Sequence, residues 1–138
     1  MRTVETRVRV RYAETDQMGI VYYANYLVWM EVGRVAYCSN VGFEYRDMER
    51  KDGVMLTVTD VHCKYRASAQ FDDDIKILTW VTDARSRSIR FAYEMRRACD
   101  NQLLATGETE HLVCNLDGKP IRLPKKYFPF FMSKPTFH

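Results

Sequence analysis

The chain has 138 residues, of which 46% are hydrophobic and 28% are charged, and its formal net charge is +3. This length fits a single domain with a sizeable core over residues 1–138 and is too short for two. The composition excludes a disordered chain, and the slight excess of basic residues gives no support to a nucleic-acid-binding protein.

The cysteines and the N-terminus bear on cofactors and location. The four cysteines form no C-x-x-C pair, and no histidine is spaced to complete a zinc site. The first residues are rich in Arg and Glu, unlike a signal segment, and no run approaches the roughly 18 apolar residues of a membrane helix. We therefore expect reduced thiols, no metal or other cofactor, no membrane span and a cytoplasmic location.

The first predicted element is a β-strand that reaches Tyr12. Every second residue is apolar or β-branched and the residues between them are mostly charged, a period of two that indicates a strand with one buried face. A turn over residues 13–19 follows. The residues of the predicted buried face are Val4, Thr6, Val8, Val10 and Tyr12.

The second predicted element is a helix from Tyr22 to about Asn40. Apolar residues occur in nearly every direction around it, and its only charged residues are Glu31 and Arg34. A helix that is apolar nearly all round is a buried one, so we expect a buried central helix. The spacing of three residues predicts that Glu31 pairs with Arg34.

The rest of the chain predicts a polar loop and four strands. The loop covers residues 44–53, and turn-forming Asp, Ser and Asn residues separate the strands. A basic tail follows Asp117 and Gly118. The element order predicts an α+β fold in which one antiparallel sheet, a meander after the helix, curls around that helix. The predicted strands are residues 54–66, 75–83, 88–98 and 103–115.

The junction between the first strand and the helix carries groups suited to acyl transfer. Asp16 supplies a carboxylate in the turn, and Gly19 allows a ligand to approach the backbone closely. The first N–H groups of a helix lack internal partners and could stabilise an oxyanion. Asp is also common as a helix cap or turn residue, and from these residues alone both interpretations stay open.

The pattern Asp16-x-x-Gly19-x-Val21-x-x-x-x-Tyr26, after a strand with Tyr12 near its end, resembles the signature of the 4-hydroxybenzoyl-CoA thioesterase branch of the hot-dog superfamily. The resemblance covers about residues 8–125. It includes Tyr65 with the downstream aspartates, and it is best with the Tol–Pal-associated acyl-CoA thioesterases. It implies a hot-dog fold and hydrolysis of a small-to-medium acyl-CoA, aliphatic or aromatic.

The resemblance also implies roles for individual residues. Asp16 would be the nucleophile or general base, the N–H of Tyr23 the oxyanion donor, and Gly19 would shape the loop. Tyr26 would line the acyl pocket. Tyr23 stands where many Tol–Pal-associated members have His, which puts a side-chain proton role at this position in doubt. Ser68 stands where many relatives have Pro, a difference that we expect the fold to tolerate.

The resemblance further implies a homodimer or homotetramer with the active site at the subunit interface. Bound CoA would need cations for its phosphates, and Arg suits phosphate contacts well. The cations available after the helix are Lys64, Arg66, Arg85, Arg87, Arg90, Arg122 and Lys125. Arg85, Arg87 and Arg90 crowd into one turn and the strand after it. We therefore predict that Arg87, Arg90 and also Arg122 bind substrate.

Two other functions remain open. One is a non-catalytic module that binds acyl-CoA or an acyl carrier protein, although such a module needs no carboxylate beside the carbonyl. The other is an acyl-thioester dehydratase or hydratase, but those hot-dog enzymes use a histidine and none occurs near this helix. The sequence leaves open which acyl group is preferred and whether it is carried by CoA or by an acyl carrier protein.

Overall fold

The computed structural model of the chain describes residues 2–131. Its elements follow the predicted order, with one additional helix before the second strand. Short 3-10 turns cover Tyr12–Glu14 and Lys125–Tyr127. In chain order the elements are β1 Thr3–Arg9, α1 Asn25–Val41, α2 Tyr45–Asp52, β2 Val54–Tyr65, β3 Asp74–Ala84, β4 Ser88–Arg97, β5 Leu103–Asn115 and α3 Phe128–Phe131.

All five strands form one antiparallel sheet in the order β1-β3-β4-β5-β2. The four strand predictions after the helix are confirmed to within one residue at each end. The predicted meander is only partly right, because β3, β4 and β5 are consecutive neighbours whereas β2 pairs with β5. The segment after Tyr65 therefore crosses from one side of the sheet to the other before β3 begins.

Helix α1 packs across the sheet with two glycines at the closest points. A Cβ added to Gly33 of α1 would lie 2.3 Å from Thr79 Oγ1 on β3, and one added to Gly107 on β5 would lie 2.2 Å from the Met30 methyl group of α1. Thr79 and Gly107 both pair with Tyr93 on the intervening β4, so they occupy one row of the sheet. The small residue is on the helix at one contact and on the sheet at the other.

The predicted central helix is present, but in the single chain only one side of it is buried. The side of α1 that faces the sheet is buried, as Trp29 and Met30 illustrate, but Val28 is 50% exposed and Val35 is 47% exposed on the other side. The predicted ion pair is wrong. Within residues 2–131 no ion pair joins Glu31 to Arg34, and the Arg34 guanidinium donates instead to the Tyr93 hydroxyl, 3.3 Å away.

Two further expectations need correction. Tyr12 does not continue the first strand but begins a 3-10 turn and is 78% exposed. Residues 44–53 are not a loop, because α2 forms there and ends at Gly53 in the left-handed conformation. An acidic first turn, a basic last turn and a terminal glycine are the end signals of a short helix, and all three were present in the sequence.

The segment after β5 folds back against the core. Leu123, Tyr127 and Phe131 are buried there, and the ring of Phe43, just after α1, packs against Tyr127 and Phe131. None of the helices in residues 2–131 has the length and apolarity needed to cross a membrane.

Candidate active site

Asp16 lies in a narrow loop between β1 and α1. Thr15 and Val21 form a bridge, and inside it the Asp16 N–H donates to the Ile20 carbonyl at 2.8 Å. The Gly19 N–H donates to the Asp16 carbonyl at 2.9 Å, and Gly19 has φ +81°. A residue with a side chain rarely adopts that backbone angle, so Gly19 is required by the closure of the loop.

The Asp16 carboxylate is half-buried, and only one of its two oxygens accepts a hydrogen bond from the described residues. Its Oδ1 accepts a hydrogen bond from the Met18 N–H at 2.8 Å, which is a turn-stabilising role. It does not cap α1, whose first flanking residue is Ala24 with no side-chain cap. Within residues 2–131 no protein donor bonds to Oδ2, so one oxygen is left for chemistry.

Glu14 joins this loop to the helix. It is buried, its Oε1 accepts from the Arg11 N–H at 2.8 Å, and its Oε2 accepts from the Trp29 indole N–H at 3.3 Å. Its carbonyl accepts from the Tyr22 N–H at 2.8 Å and from Asn25 Nδ2 at 2.9 Å. Sequence reasoning missed Glu14 because it looked like one more polar turn residue. The useful signal was a carboxylate close to a helix that carries Trp29.

Two free amide groups, those of Tyr23 and Ala24, lie directly before the first residue of α1, a place that we call the entrance of α1. The Tyr22 carbonyl accepts from the Asn25 N–H at 2.9 Å, and the Tyr23 carbonyl accepts from the Tyr26 N–H at 3.2 Å. In the part of the chain that the structure describes, the N–H groups of Tyr23 and Ala24 donate to no protein acceptor. Tyr23 lies two residues before the helix instead of within it, and its amide is still an unsatisfied donor at the positive end of α1.

An aromatic cavity of about 270 Å³ opens beside this entrance. Tyr26 is buried there, and its ring centroid lies 4.8 Å from that of Trp29 and 5.1 Å from that of Tyr65. Burial raises the pKa of Tyr26, so its hydroxyl stays neutral. The cavity is lined by Ile20, Val21, Tyr23, Tyr26, Tyr65, Arg66, Ala67 and Ser68.

The three predicted phosphate-binding arginines lie elsewhere in the same chain. Arg87 and Arg122 are exposed, and the residue after Arg122 bonds to the Ser86 carbonyl at 2.7 Å. Arg90 Nη2 is 2.9 Å from Glu110 Oε1, and this bond raises the pKa of Arg90. All three are near the start of β4 or just before it.

Register places that end of the sheet far from the aromatic cavity. Tyr65 pairs with Ala105 and Ala105 pairs with Met95, whereas Arg87 precedes Ser88. The seven steps of extended strand from Ser88 to Met95 span roughly 23 Å. Within one chain Tyr23 and Tyr26 line the cavity, Asp16 and Gly19 lie in the loop that leads to it, and the three arginines lie apart from both.

Arg66 is the cation that the fold places at the cavity. It follows the last residue of β2, lines the cavity with Tyr65, and forms no ion pair among residues 2–131. Sequence reasoning counted Arg66 among the available cations but favoured Arg87 and Arg90, because arginines crowd together there along the chain. The pairing of β2 with β5 at the edge of the sheet, which places Arg66 at the cavity, was not visible in that pattern.

Comparison with known proteins gives consistent matches over nearly the whole chain. The model of the thioesterase-like superfamily matches residues 10–133. The putative acyl-CoA thioesterase YneP of Bacillus subtilis is 38% identical over 130 residues, which is 94% of this chain and 92% of that protein. The acyl-CoA thioester hydrolase YbgC of Escherichia coli O157:H7 is 34% identical over 121 residues, covering 86% and 87%. A DHNA-CoA thioesterase of Staphylococcus aureus superposes with a TM-score of 0.86 at 40% identity, over 94% of this chain and 85% of that one.

Proposed function

Because the chain belongs to the thioesterase-like superfamily and has its hot-dog fold, we propose that it hydrolyses acyl-CoA thioesters. The observation that carries this proposal is the half-free carboxylate of Asp16 in the loop that leads into a helix entrance with two unpaired amide groups. A carboxylate and preorganised N–H donors are what acyl transfer requires. The names of the relatives, YneP and YbgC among them, support the same reaction class.

In the proposed mechanism the thioester carbonyl oxygen accepts a hydrogen bond from the Tyr23 N–H. Asp16 Oδ2 either attacks the carbonyl carbon or removes a proton from the water that attacks it. The negative charge that develops on the oxygen is stabilised at the positive end of α1. The C–S bond then breaks, CoA leaves as the thiolate and takes up a proton, and the acid is released. An acyl-enzyme formed by direct attack would be hydrolysed by water in a second step.

The acyl group is proposed to enter the aromatic cavity against Tyr26 and Tyr65. A cavity wall of aromatic rings accepts small-to-medium acyl groups, aliphatic or aromatic, by burial of apolar surface. Arg66 at the same cavity is suited to the CoA phosphates. Arg87, Arg90 and Arg122 lie apart from this cavity within one chain, and we propose that they contribute from a second subunit.

We propose that the working form is a homodimer or homotetramer with the active site at the subunit interface. The side of α1 that faces away from the sheet exposes the apolar side chains of Val28 and Val35 to solvent in the single chain. The 12-residue strand β2 also has one unpaired edge. A symmetric partner would cover both features, and it would bring arginines from its own sheet within reach.

The association state is testable by sedimentation. We expect the wild type to sediment as a dimer or tetramer, and the double variant Val28→Glu/Val35→Glu to sediment as a monomer with unchanged circular dichroism. Both valines are exposed in the single chain, so the charges interfere with association and not with folding. If the site lies at the interface, the monomeric variant also loses turnover. A wild type that sediments as a monomer would refute the interface.

The reaction itself is tested by thiol release from a panel of short-chain, long-chain and aromatic acyl-CoAs. We expect release from at least one class, without added metal. The binding-module alternative predicts that the panel is bound, as seen by calorimetry, with no thiol released. Acyl-pantetheine substrates without the nucleotide separate the contribution of the CoA phosphates from that of the acyl pocket.

A further inference from the structure

The hydroxyl of Tyr65 bonds to the backbone at the entrance of α1. Tyr65 is the last residue of β2, and its Oη donates to the Tyr23 carbonyl oxygen at 3.0 Å. Its ring meets the rings of Tyr26 and Tyr23 edge-on, with centroid distances of 5.1 Å and 6.2 Å. One side chain of the sheet is thus tied to the turn that carries the two free amides.

This bond acts on the peptide unit that joins Tyr23 to Ala24. The Tyr23 carbonyl accepts from both the Tyr26 N–H and the Tyr65 hydroxyl, and the opposite end of the same peptide is the unpaired N–H of Ala24. A hydrogen bond at the carbonyl oxygen polarises the peptide and strengthens its N–H as a donor. It also fixes the plane of the peptide, and with it the direction of that N–H.

We propose that Tyr65 is a positioning residue for the oxyanion site, holding the Tyr23–Ala24 peptide so that the Ala24 N–H acts as a second donor beside the Tyr23 N–H. The inference rests on the proposed hydrolase function. The Tyr65 hydroxyl bonds to the turn and not to the reacting atoms, so its effect on the reaction passes through the backbone.

The surroundings of Tyr65 suit a permanent donor. Although Tyr65 is 43% exposed, partial desolvation and then the nearby Cys63 and tyrosines raise its pKa, so the hydroxyl keeps its proton at neutral pH. The Tyr23 carbonyl would be satisfied by the Tyr26 N–H alone. The second bond is therefore not needed to avoid an unsatisfied buried group, and its distinctive consequence is the orientation and polarisation of the turn.

The test is Tyr65→Phe, which keeps the ring and removes only the hydroxyl. We expect kcat to fall roughly five- to tenfold, as for the loss of one supporting hydrogen bond, while KM stays within about twofold. The matched control is Tyr45→Phe. Its hydroxyl also bonds to a backbone group, accepting from the Leu56 N–H at 2.9 Å, but near the start of β2. We expect that control to keep the wild-type kcat, with a similar change in thermal midpoint.

A second readout separates polarisation from general loosening. The fastest thioester of the panel, labelled with ¹³C at its carbonyl, is bound to the Asp16→Asn protein, and its C=O stretching frequency is measured by infrared difference spectroscopy. Adding Tyr65→Phe should move the band to higher wavenumber, because the oxyanion donors polarise the carbonyl less. Adding Tyr45→Phe should leave the band in place.

The outcomes distinguish the two proposals. Equal kcat and an unmoved carbonyl band in Tyr65→Phe, with an active wild type, would overturn the role of Tyr65 and leave the hydrolase intact. A fall in kcat that the Tyr45→Phe control reproduces would also overturn it. A wild type that releases no thiol from any thioester would overturn the hydrolase and the role of Tyr65 together.

Discussion

Replacing Asp16 with Asn is expected to lower thiol release at least about a hundredfold, the scale of losing a catalytic carboxylate. Asparagine keeps the size of the side chain and an Oδ1 that can still accept from the Met18 N–H, so the loop should retain its shape. It lacks the charged oxygen that the mechanism needs at Oδ2. We therefore expect kcat to fall while substrate affinity, measured by calorimetry on the unreacted thioester, changes little.

The control for this variant is Asp117→Asn, an exposed turn residue after β5. It should keep wild-type kinetics, which would show that loss of one negative charge is not itself the cause. If turnover survives in Asp16→Asn, the carboxylate has only its turn-stabilising role. The catalytic acid would then be sought at Glu31, the exposed carboxylate of α1.

As the pH drops from about 6.5 to 4, the free energy of unfolding of the wild type is expected to fall by about 3 kcal/mol more than that of His111→Gln. The cause is the buried side chain of His111. His111 is 1% exposed on β5, with Nε2 at 2.8 Å from Thr109 Oγ1. Burial, and then the nearby Arg34, lowers its pKa from 6.5 to about 4. Below pH 6.5 His111 binds a proton in the unfolded chain but stays neutral in the folded protein, so protonation favours unfolding. Above pH 6.5 both states are neutral and the contribution is fully present.

The measurement is urea unfolding at a series of pH values for the wild type and His111→Gln. Glutamine has no titrating group and can still bond to Thr109, so groups common to both proteins cancel in the difference. His62→Gln is the second control, since His62 is exposed on β2. Parallel stability curves for the wild type and His111→Gln would contradict the lowered pKa.

Much of the fold could be predicted because its signals are local. Period-two strands and turn residues gave β3, β4 and β5 nearly to the residue. Helix α2 was missed because its apolar content is small, and only its end signals mark it. The mistaken burial of α1 has a different origin. An apolar surface predicts that something covers it, but it cannot distinguish the protein's own sheet from a second subunit.

The site divides in the same way. Asp16, Gly19 and Tyr23 could be proposed from the sequence because they are neighbours in it, where a motif can be recognised. Glu14 and Tyr65 act through bonds to Trp29 and to the Tyr23 carbonyl, and only the folded chain brings those partners together. The Tyr65 contact also depends on the position of β2 at the edge of the sheet, which no spacing pattern specifies.

The two reciprocal glycine contacts under α1 also limit how the helix can move. The Met30 methyl lies over Gly107, and Thr79 lies against Gly33. If the helix shifted along its axis by one residue, about 1.5 Å, Met30 and Thr79 would no longer face the glycines and would clash with larger neighbouring residues. The two contacts fix the position of the helix along the sheet. Its first turn therefore keeps a constant offset from the sheet, and changes in core packing elsewhere can be absorbed without displacing the free amide groups at the entrance of the helix.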